Sequence, residues 1–518
     1  MTTGTGRLSP MTRSVFLLTA ANLLVLVMGL GRAKVNAHWL GVAGIGLVAQ
    51  LNTLCVLLGS FAMVGLATAG VKSIAAARGR GDLGQARDIA AIVMIVPLGL
   101  GTLIAIAVTV ASPGIASLVT GTTQYWWAVS IAVWSIPLSM GYAALVILVQ
   151  SETRMGLLSR LILISAAAQT VAVVVLVVAA GLFGAVVAVA LTSLISLVIG
   201  LGATWHVLRR YWPPRFPQLR TLQIVRGIAT ASFVVGGSAL LVDMVIRTRI
   251  VHVGGLNALG LYQPAAFVSV QAFGPFIAAV GTYLLPTLSS TISRGDFDEA
   301  AKIVKTAVRL SVGGSALGAI GLGVAGRPFL RLLFAPSFEQ GFNPLLWQLA
   351  GEPLWAASWG FGALLLPLGL TRQWLLVGVI TAAVQVSTAL ALPASLGAQI
   401  GAISFTAAWA ACVIVTLFVL GRQKAVSAVF AEVPRIGMAV VAVCAALVVD
   451  GVAPPELSWL FSVLAAVLVV VLTVRLGDVR MLWHGAVARI DVPAQFAASP
   501  PSTIQPHPGE PPVVQESL

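Results

Sequence analysis

The chain is 518 residues long, 58% hydrophobic and 9% charged, with a net charge of +14 and a mean hydropathy of +1.00. A water-soluble domain carries about 25% charged residues, so the composition excludes that class. The excess of positive charge does not point to nucleic acid, because the basic residues are confined to short segments between long apolar runs.

Those runs are each long enough to cross a hydrocarbon layer of ~30 Å as a helix. Fourteen spans are predicted, near 13–33, 42–70, 89–111, 125–150, 159–180, 182–206, 227–251, 257–286, 309–326, 344–370, 374–395, 399–421, 436–453 and 457–475. Alternating strands of about 10 residues, the mark of an outer-membrane barrel, are absent from the pattern. The first run, Ser14 to Gly31, lacks a small-residue cleavage site and reads as an uncleaved span. A basic, proline-bearing segment, 207–226, separates the first six spans from the rest, and the tail from about 491 is rich in Pro, Ser and Gln and is predicted to be disordered.

Charge gives the expected orientation. With the N-terminus in the cytoplasm, all but six of the 30 basic residues fall on the cytoplasmic side, as the positive-inside bias requires. Both termini are then cytoplasmic. The six exceptions are Arg32, Lys34, Arg247, Arg249, Arg327 and Arg331.

The chain also repeats itself. A shift of 214 positions places Gly46-Leu47 on Gly260-Leu261 and Arg80-Gly81-Asp82 on Arg294-Gly295-Asp296; Ala86 falls on Ala300 and Ile89 on Ile303. Thr153-Arg154 resembles Thr371-Arg372 at an offset of 218, which a four-residue insertion would reconcile. The offset covers six spans, an even number, so both copies enter the membrane from the same side as parallel repeats. The expected fold is an all-α polytopic membrane protein of about 14 transmembrane helices. Two parallel six-helix repeats form an N-lobe (1–206) and a C-lobe (227–421), joined by the cytoplasmic linker 207–226. Two extra helices (422–475) and a cytoplasmic tail (476–518) follow.

Gly44-Ile45-Gly46-Leu47 with Gly81-Asp82, and Leu259-Gly260-Leu261-Tyr262 with Pro286-Thr287-Leu288 and Arg294-Gly295-Asp296, resemble the polysaccharide transporter family. That family includes the O-antigen type flippases and belongs to the multidrug/oligosaccharidyl-lipid/polysaccharide exporter superfamily. Asp243 also matches an acidic position common in it. The resemblance spans about residues 10 to 475. It implies two six-helix lobes around a central cavity, and movement of lipid-linked sugars from the inner to the outer leaflet of a bacterial plasma membrane.

The outward basic residues are the first site candidates. Arg32-Ala33-Lys34 ends the first span and Arg247-Thr248-Arg249 the seventh, at offset 215, one residue from the main register. Arginine grips phosphate through several charge-assisted hydrogen bonds, so Arg32, Lys34, Arg247 and Arg249 could hold the phosphate of a lipid-linked saccharide. The same side chains could instead snorkel to lipid headgroups. Arg327 and Arg331 fall in an outer loop and read as interfacial. Asp243 lies one helical turn before Arg247, either as its ion-pair partner or as an acid that releases it when phosphate arrives. Glu352, followed by Pro353, has no basic residue nearby in sequence and is a candidate coupling or cavity acid.

Asn22, Gln50, Asn52, Gln169, Gln271 and Gln385 could bond sugar hydroxyls or neighbouring helices. Trp347, Trp355 and Trp359 fit packing and interface anchoring better than sugar stacking. Cys55, Cys412 and Cys444 sit in apolar runs without ligand spacing, and no metal or cofactor is implied. There is no P-loop pattern and no His-Glu-x-x-His, and no loop is long enough to house a catalytic domain.

The expected function is therefore a transporter rather than an enzyme: a flippase for a polyprenyl-(di)phosphate-linked saccharide. Its partners are that lipid and the bilayer, with no nucleic acid. Proton or sodium coupling, and contact with other polysaccharide-pathway membrane proteins, remain open. The alternatives are a lipid II flippase, a cation-coupled multidrug exporter of the same superfamily, and a membrane polymerase, ligase or scaffold of a polysaccharide pathway.

Overall fold

The computed structural model describes residues 10–211 and 219–473, and among them every regular element is helical. The centre of the linker, the tail from 474 with the expectation of disorder there, and the side chains of Arg13, Asn22, Arg220 and Arg226 lie outside the described residues.

In chain order the helices are α1 (Pro10–Met63), α2 (Leu66–Gly79), α3 (Leu83–Val110), α4 (Ser112–Thr120), α5 (Trp126–Ala132), α6 (Ser135–Ser151), α7 (Met155–Tyr211) and α8 (Leu219–Val268). They continue with α9 (Gly274–Ser293), α10 (Phe297–Val324), α11 (Gly326–Leu333), α12 (Phe342–Gly362), α13 (Thr371–Ala391), α14 (Gln399–Gly421), α15 (Val433–Val452) and α16 (Pro455–Thr473). Helix thus occupies both ends of the segment 207–226 that the sequence marks as linker, up to Tyr211 and again from Leu219.

At 54, 57 and 50 residues, α1, α7 and α8 would each measure about 75–85 Å if straight, more than twice the thickness of a bilayer core. Each is broken by one glycine: Gly41 (φ 65, ψ −173), Gly181 (φ 53, ψ −129) and Gly255 (φ 71, ψ −175). A side-chain carbon on Gly184 would meet the carbonyl of Leu176, a contact that requires the chain to fold back at Gly181. At positive φ with ψ near 180° a side chain clashes with its own backbone, a region that essentially only glycine enters, so glycine is what allows so short a turn.

The break points repeat. Gly41 and Gly255 stand 214 residues apart with nearly the same dihedral angles. The Arg-Gly-Asp motif proves to be a helix-to-helix turn. Gly81 (φ 77) and Gly295 (φ 79) turn the chain, and the next residue caps the following helix. Asp82 Oδ1 accepts from the backbone N–H of Gln85 at 2.8 Å, and Asp296 Oδ1 from that of Glu299 at 3.0 Å.

Further along, Thr153 (φ 56) corresponds to Gly369 (φ 74) and Gly181 to Gly397 (φ 46), an offset of 216. The match of Thr153-Arg154 to Thr371-Arg372 is therefore out of register: the insertion is two residues, not four. The copies also differ in how one span bends. The first breaks between α1 and α2 at Val64 (φ 46) and Gly65 (φ 69), the second through a π-turn at Ser269–Phe273. A β-branched residue at positive φ is rare, so Val64 marks a strained joint.

Among the described residues, eight helical segments are long and apolar enough to cross a membrane. Large apolar side chains face outward along them, with Val110 80% and Val452 86% exposed. Such surfaces belong against lipid, and the chain is a multi-pass membrane protein.

The two copies cross where α1 and α8 have just turned at their glycines. A side-chain carbon on Gly46 would collide with the carbonyl oxygen of Leu256, and one on Gly260 with that of Val42. These contacts interchange under the 214-residue shift, so the axis relating the repeats passes between the two glycines. The second half also meets the first along α2, which packs against α8.

The two C-terminal helices are pinned by buried polar groups. Glu432 takes Arg309 of α10 at 3.4 Å and Arg435 at 3.3 Å, while Asp450 of α15 accepts from Ser458 and Ser462 of α16.

Candidate functional site

Arg247 is the best-buried of the four cations singled out by sequence. Its Nε donates to Asp243 Oδ2 at 2.8 Å and its Nη1 to Gln263 Oε1 at 2.7 Å; the guanidinium lies 5.8 Å from the centre of the Tyr262 ring. Asp243 precedes the Gly255 joint, and Tyr262 and Gln263 follow it. Arg247 therefore staples the two arms of α8 together. The ion pair anticipated between Asp243 and Arg247 is present, and Gln263 is a partner that helical spacing alone could not supply.

The other three cations are placed differently. Arg32 and Arg249 are half-buried and Lys34 is exposed; Arg249 keeps a buried Nε without a partner. At the true offset of 214, Arg247 corresponds to Ala33, and Arg32 to the buried Ile246. A slip of one residue is a rotation of about 100° on a helix, so the two cationic pairs are not equivalent about the axis. The two outer-loop arginines are held locally. Arg327 stacks on Phe342 at 4.5 Å and Arg331 pairs with Glu339.

Glu352 is fully buried in α12. Ser269, in the π-turn, and Gln348, one turn earlier, are the polar side chains that face its carboxyl. Neither meets it with hydrogen-bonding geometry, and both oxygens are unpaired. Pro353 cannot donate a backbone hydrogen bond, which frees the carbonyl one turn before it. The buried ring of Tyr262 lies within electrostatic reach of Arg247, Asp243 and Glu352.

Beside Arg247 lies a cavity of about 160 Å³ between the arms of α1 and the second arm of α8. Its polar lining is Asn36, Asn52 and Gln263; Leu40, Phe267 and Phe334 are among its apolar walls. Asn52 Nδ2 donates to the carbonyl of Val48 at 2.9 Å, and Asn36 Oδ1 is buried without a partner, which costs about 1–3 kcal/mol. Asn52 was legible as a polar residue within a span. Asn36 and Gln263 were not singled out, although Gln263 directly follows the Gly260-Leu261-Tyr262 motif.

Of the remaining polar candidates, Gln50 and Gln169 serve packing. Gln50 is buried and donates to the carbonyl of Val119 at 3.0 Å and to Thr248 Oγ1 at 3.1 Å, which ties one repeat to the other. Gln169 donates to Ser196 at 2.6 Å. Trp355 packs with Phe405 and Trp409, whereas Trp347 and Trp359 are exposed. Among the described residues no cluster of three or more His, Cys, Asp or Glu could hold a metal ion.

A family model described as a polysaccharide biosynthesis protein matches residues 11–293. A comparison with curated proteins finds no match. Among solved structures, the lipid II flippase MurJ in an inward closed conformation superposes with a TM-score of 0.64 at 13% identity, covering 92% of this chain and 100% of that one. An inward-facing multidrug resistance MATE family transporter of the MOP superfamily gives 0.59 at 16% identity, over 80% and 98%. A MOP superfamily transporter from Pyrococcus furiosus gives 0.53 at 14% identity, over 83% and 96%. At these identities the likeness is one of fold.

Proposed function

Because this chain belongs to the polysaccharide biosynthesis protein family, we propose that it is a flippase, which carries a polyprenyl-(di)phosphate-linked saccharide across a bacterial plasma membrane by alternating access. The observation that carries this reading is the meeting of two structurally repeated halves at Gly46 and Gly260 beside a cavity that Asn36, Asn52 and Gln263 line in part. Such halves can rock about their common axis and expose that cavity to either side in turn. The likeness in fold to a structure named a lipid II flippase, matched over 100% of its own length, supports this reading.

Fourteen spans follow when the glycine joints are counted as loops. The joints at Gly41, Gly181 and Gly255 divide α1, α7 and α8 into two spans each. The second arm of α1 continues into α2, the second arm of α8 into α9, and α5 into α6 as single bent spans; α3, α10, α12, α13, α14, α15 and α16 supply the rest. The first twelve form two parallel repeats of six, and the last two lie outside the duplication. The positive-inside bias puts the Arg-Gly-Asp turns and both termini in the cytoplasm and the Gly41 and Gly255 joints outside. In that orientation the crossing at Gly46 and Gly260 lies on the outer side, and α2 adds a further contact with α8 of the other half.

Arg247 is the cation best placed to meet the substrate phosphate, by exchanging Asp243 and Gln263 for phosphate oxygens. Arg249, Arg32 and Lys34 extend positive charge along the outer half of the path. Glu352 is the coupling acid: a buried carboxyl without a partner takes up and releases a proton, or a sodium ion, as the cavity changes sides. Moving one charge through 100 mV supplies ~2.3 kcal/mol per cycle.

The same buried acid favours a second reading, a cation-coupled drug exporter. Reconstituted protein given both a fluorescent polyprenyl-diphosphate saccharide and a cationic dye decides between them. Movement of the lipid supports the flippase, and gradient-driven movement of the dye alone supports the exporter.

A further inference from the structure

We infer that the cytoplasmic end of the first repeat binds the headgroup of an anionic phospholipid, in a cluster of arginines gathered around the buried Glu152. The site shares no residue with the cavity beside Arg247, so it stands apart from the lipid that the protein is proposed to carry. Glu152 caps α6, and its side chain is 2% exposed. It pairs with Arg154 Nε at 3.0 Å, just before α7, and with Arg210 Nη1 at 3.4 Å, in the last turn of α7. Arg78 of α2 donates Nη1 to the carbonyl of Ser151 at 3.3 Å, and Arg87 of α3 donates Nε to the carbonyl of Arg210 at 2.9 Å. Arg154 Nη1 donates to His206 Nε2 at 2.8 Å.

Four guanidinium groups thus converge on one carboxylate and two backbone carbonyls. Asp82 and Asp88, the other acids on these helix ends, are offset by Lys72 and Arg80, so the cluster keeps an excess of positive charge. Each of the four arginines spends one or two of its five N–H groups on described residues. The side chain of Arg210 is 55% exposed and that of Arg154 37%, which leaves N–H groups open to a ligand. Guanidinium forks held in place by a buried acid suit the oxygens of a phosphate.

The helix that leads to the cluster supplies the reason for a lipid. Leu194, Val198, Leu201, Trp205 and Arg209 of α7 are exposed and follow one another at intervals of four, three, four and four residues, which places them on one face. Leu194 to Trp205 rises about 16 Å, close to half of a ~30 Å hydrocarbon core. Trp205 has the character of an interfacial residue, and the guanidinium of Arg209 lies 5.3 Å from its ring centre. An acyl chain along this stripe carries its headgroup to the level of Arg209 and Arg210, and basic pockets between helix ends on the cytoplasmic side suit anionic headgroups.

The positive-inside bias alone does not account for the arrangement. It asks for basic residues beside both repeats, and both have them, but it does not ask for a buried acid that gathers them. At the offset of 214 residues, Arg78 and Arg87 correspond to Ile292 and Ala301; at 216, Glu152, Arg154 and Arg210 correspond to Leu368, Leu370 and Val426. Only the first repeat is built this way.

The test is retention of phosphatidylglycerol and phosphatidylcholine with the same acyl chains by the purified full-length protein, read by native mass spectrometry. The wild type is expected to hold phosphatidylglycerol at least about tenfold more tightly, a difference of about 1.4 kcal/mol. Arg154→Lys with Arg210→Lys keeps the charge but loses the forks, and should lose most of that preference. Arg294→Gln with Lys302→Gln removes two exposed charges from the second repeat and should keep it. Thermal melting in phosphatidylcholine reports whether each variant is folded, and Arg210→Gln alone is the milder substitute if the lysine pair melts lower. Equal retention of the two lipids by the wild type, or full preference in the lysine pair, overturns the site. Displacement of phosphatidylglycerol by an equal concentration of bare polyprenyl diphosphate would assign the cluster to the carried lipid, and displacement by inorganic phosphate to a free ion; either overturns the phospholipid assignment.

Discussion

Gly46 and Gly260 face one another's repeats: the backbone carbonyl of Leu256 occupies the place of a side chain on Gly46, and that of Val42 the place of one on Gly260. Close approach of this kind is how helices associate in lipid, where packing of small residues replaces the hydrophobic effect. It also makes the joint ends of the halves a shape-dependent closure. Adding one methyl group to a tight contact costs about 1–3 kcal/mol, here only in the state with the outer side shut. Gly46→Ala and Gly260→Ala should therefore shift the resting equilibrium towards the outward-open state by about tenfold or more. His38 and His252 are exposed and 214 residues apart, one beside each joint. Spin labels at those positions, in a cysteine-free background, should report a longer distance in either variant than in the parent.

In the proposed mechanism, Asp243 and Gln263 hold the guanidinium of Arg247 where a substrate phosphate would replace them. Arg247→Lys keeps the charge but cannot hold two acceptors as a planar fork. Charged hydrogen bonds are worth about 1.5–3 kcal/mol, so flipping should fall by roughly 10- to 100-fold. Asp243→Asn, which removes the competing charge, should tighten binding of the bare polyprenyl diphosphate. Unchanged transport in Arg247→Lys would remove the residue from the substrate path.

Glu352→Gln separates coupling from structure. The amide is isosteric and neutral, so it removes a buried carboxyl that has no partner, and the variant should melt no lower than the parent. Coupled transport should lose its response to an imposed proton or sodium gradient, while exchange without a gradient continues. A gradient response equal to that of the parent would show that Glu352 is not the coupling acid.

Glu432 is buried with Arg309 at 3.4 Å and holds the last two helices to the second repeat. Breaking one partner of a buried pair costs about 3–5 kcal/mol, because the other is left charged and desolvated. Glu432→Ala should therefore lower thermal stability more than Glu299→Ala, whose pairing with Lys302 is exposed. Differential scanning of detergent-solubilised protein compares the two.

Much of the fold could be read from the chain because membrane helices write their positions in plain hydropathy, and because Gly-Asp turns recur at the same spacing as the helices they connect. Gly41 and Gly255 were harder to see, since a glycine that reverses a helix looks like any other within an apolar run. The two-residue insertion was overestimated for a local reason. Thr153 takes a left-handed backbone that the other repeat assigns to Gly369, so the chemically similar Thr371 drew the alignment away. The echo between Arg32 and Arg247 fails by a single residue, which hydropathy hardly registers but which turns a helical side chain by about 100°. Gln263 acquires its role by lying across the Gly255 joint from Arg247, a proximity that no linear spacing encodes.

The measurement that tests the central claim most directly is the movement of a fluorescent polyprenyl-diphosphate saccharide between leaflets of proteoliposomes. Wild-type protein, protein with Arg247→Ala, and a Gly46→Leu variant blocked at the crossing are compared with protein-free vesicles. The account predicts rapid loss of leaflet asymmetry with wild-type protein only. Movement no faster than in protein-free vesicles would contradict it, as would equal movement by wild type and Gly46→Leu, which would show that the halves need not close at Gly46 and Gly260 for the lipid to cross.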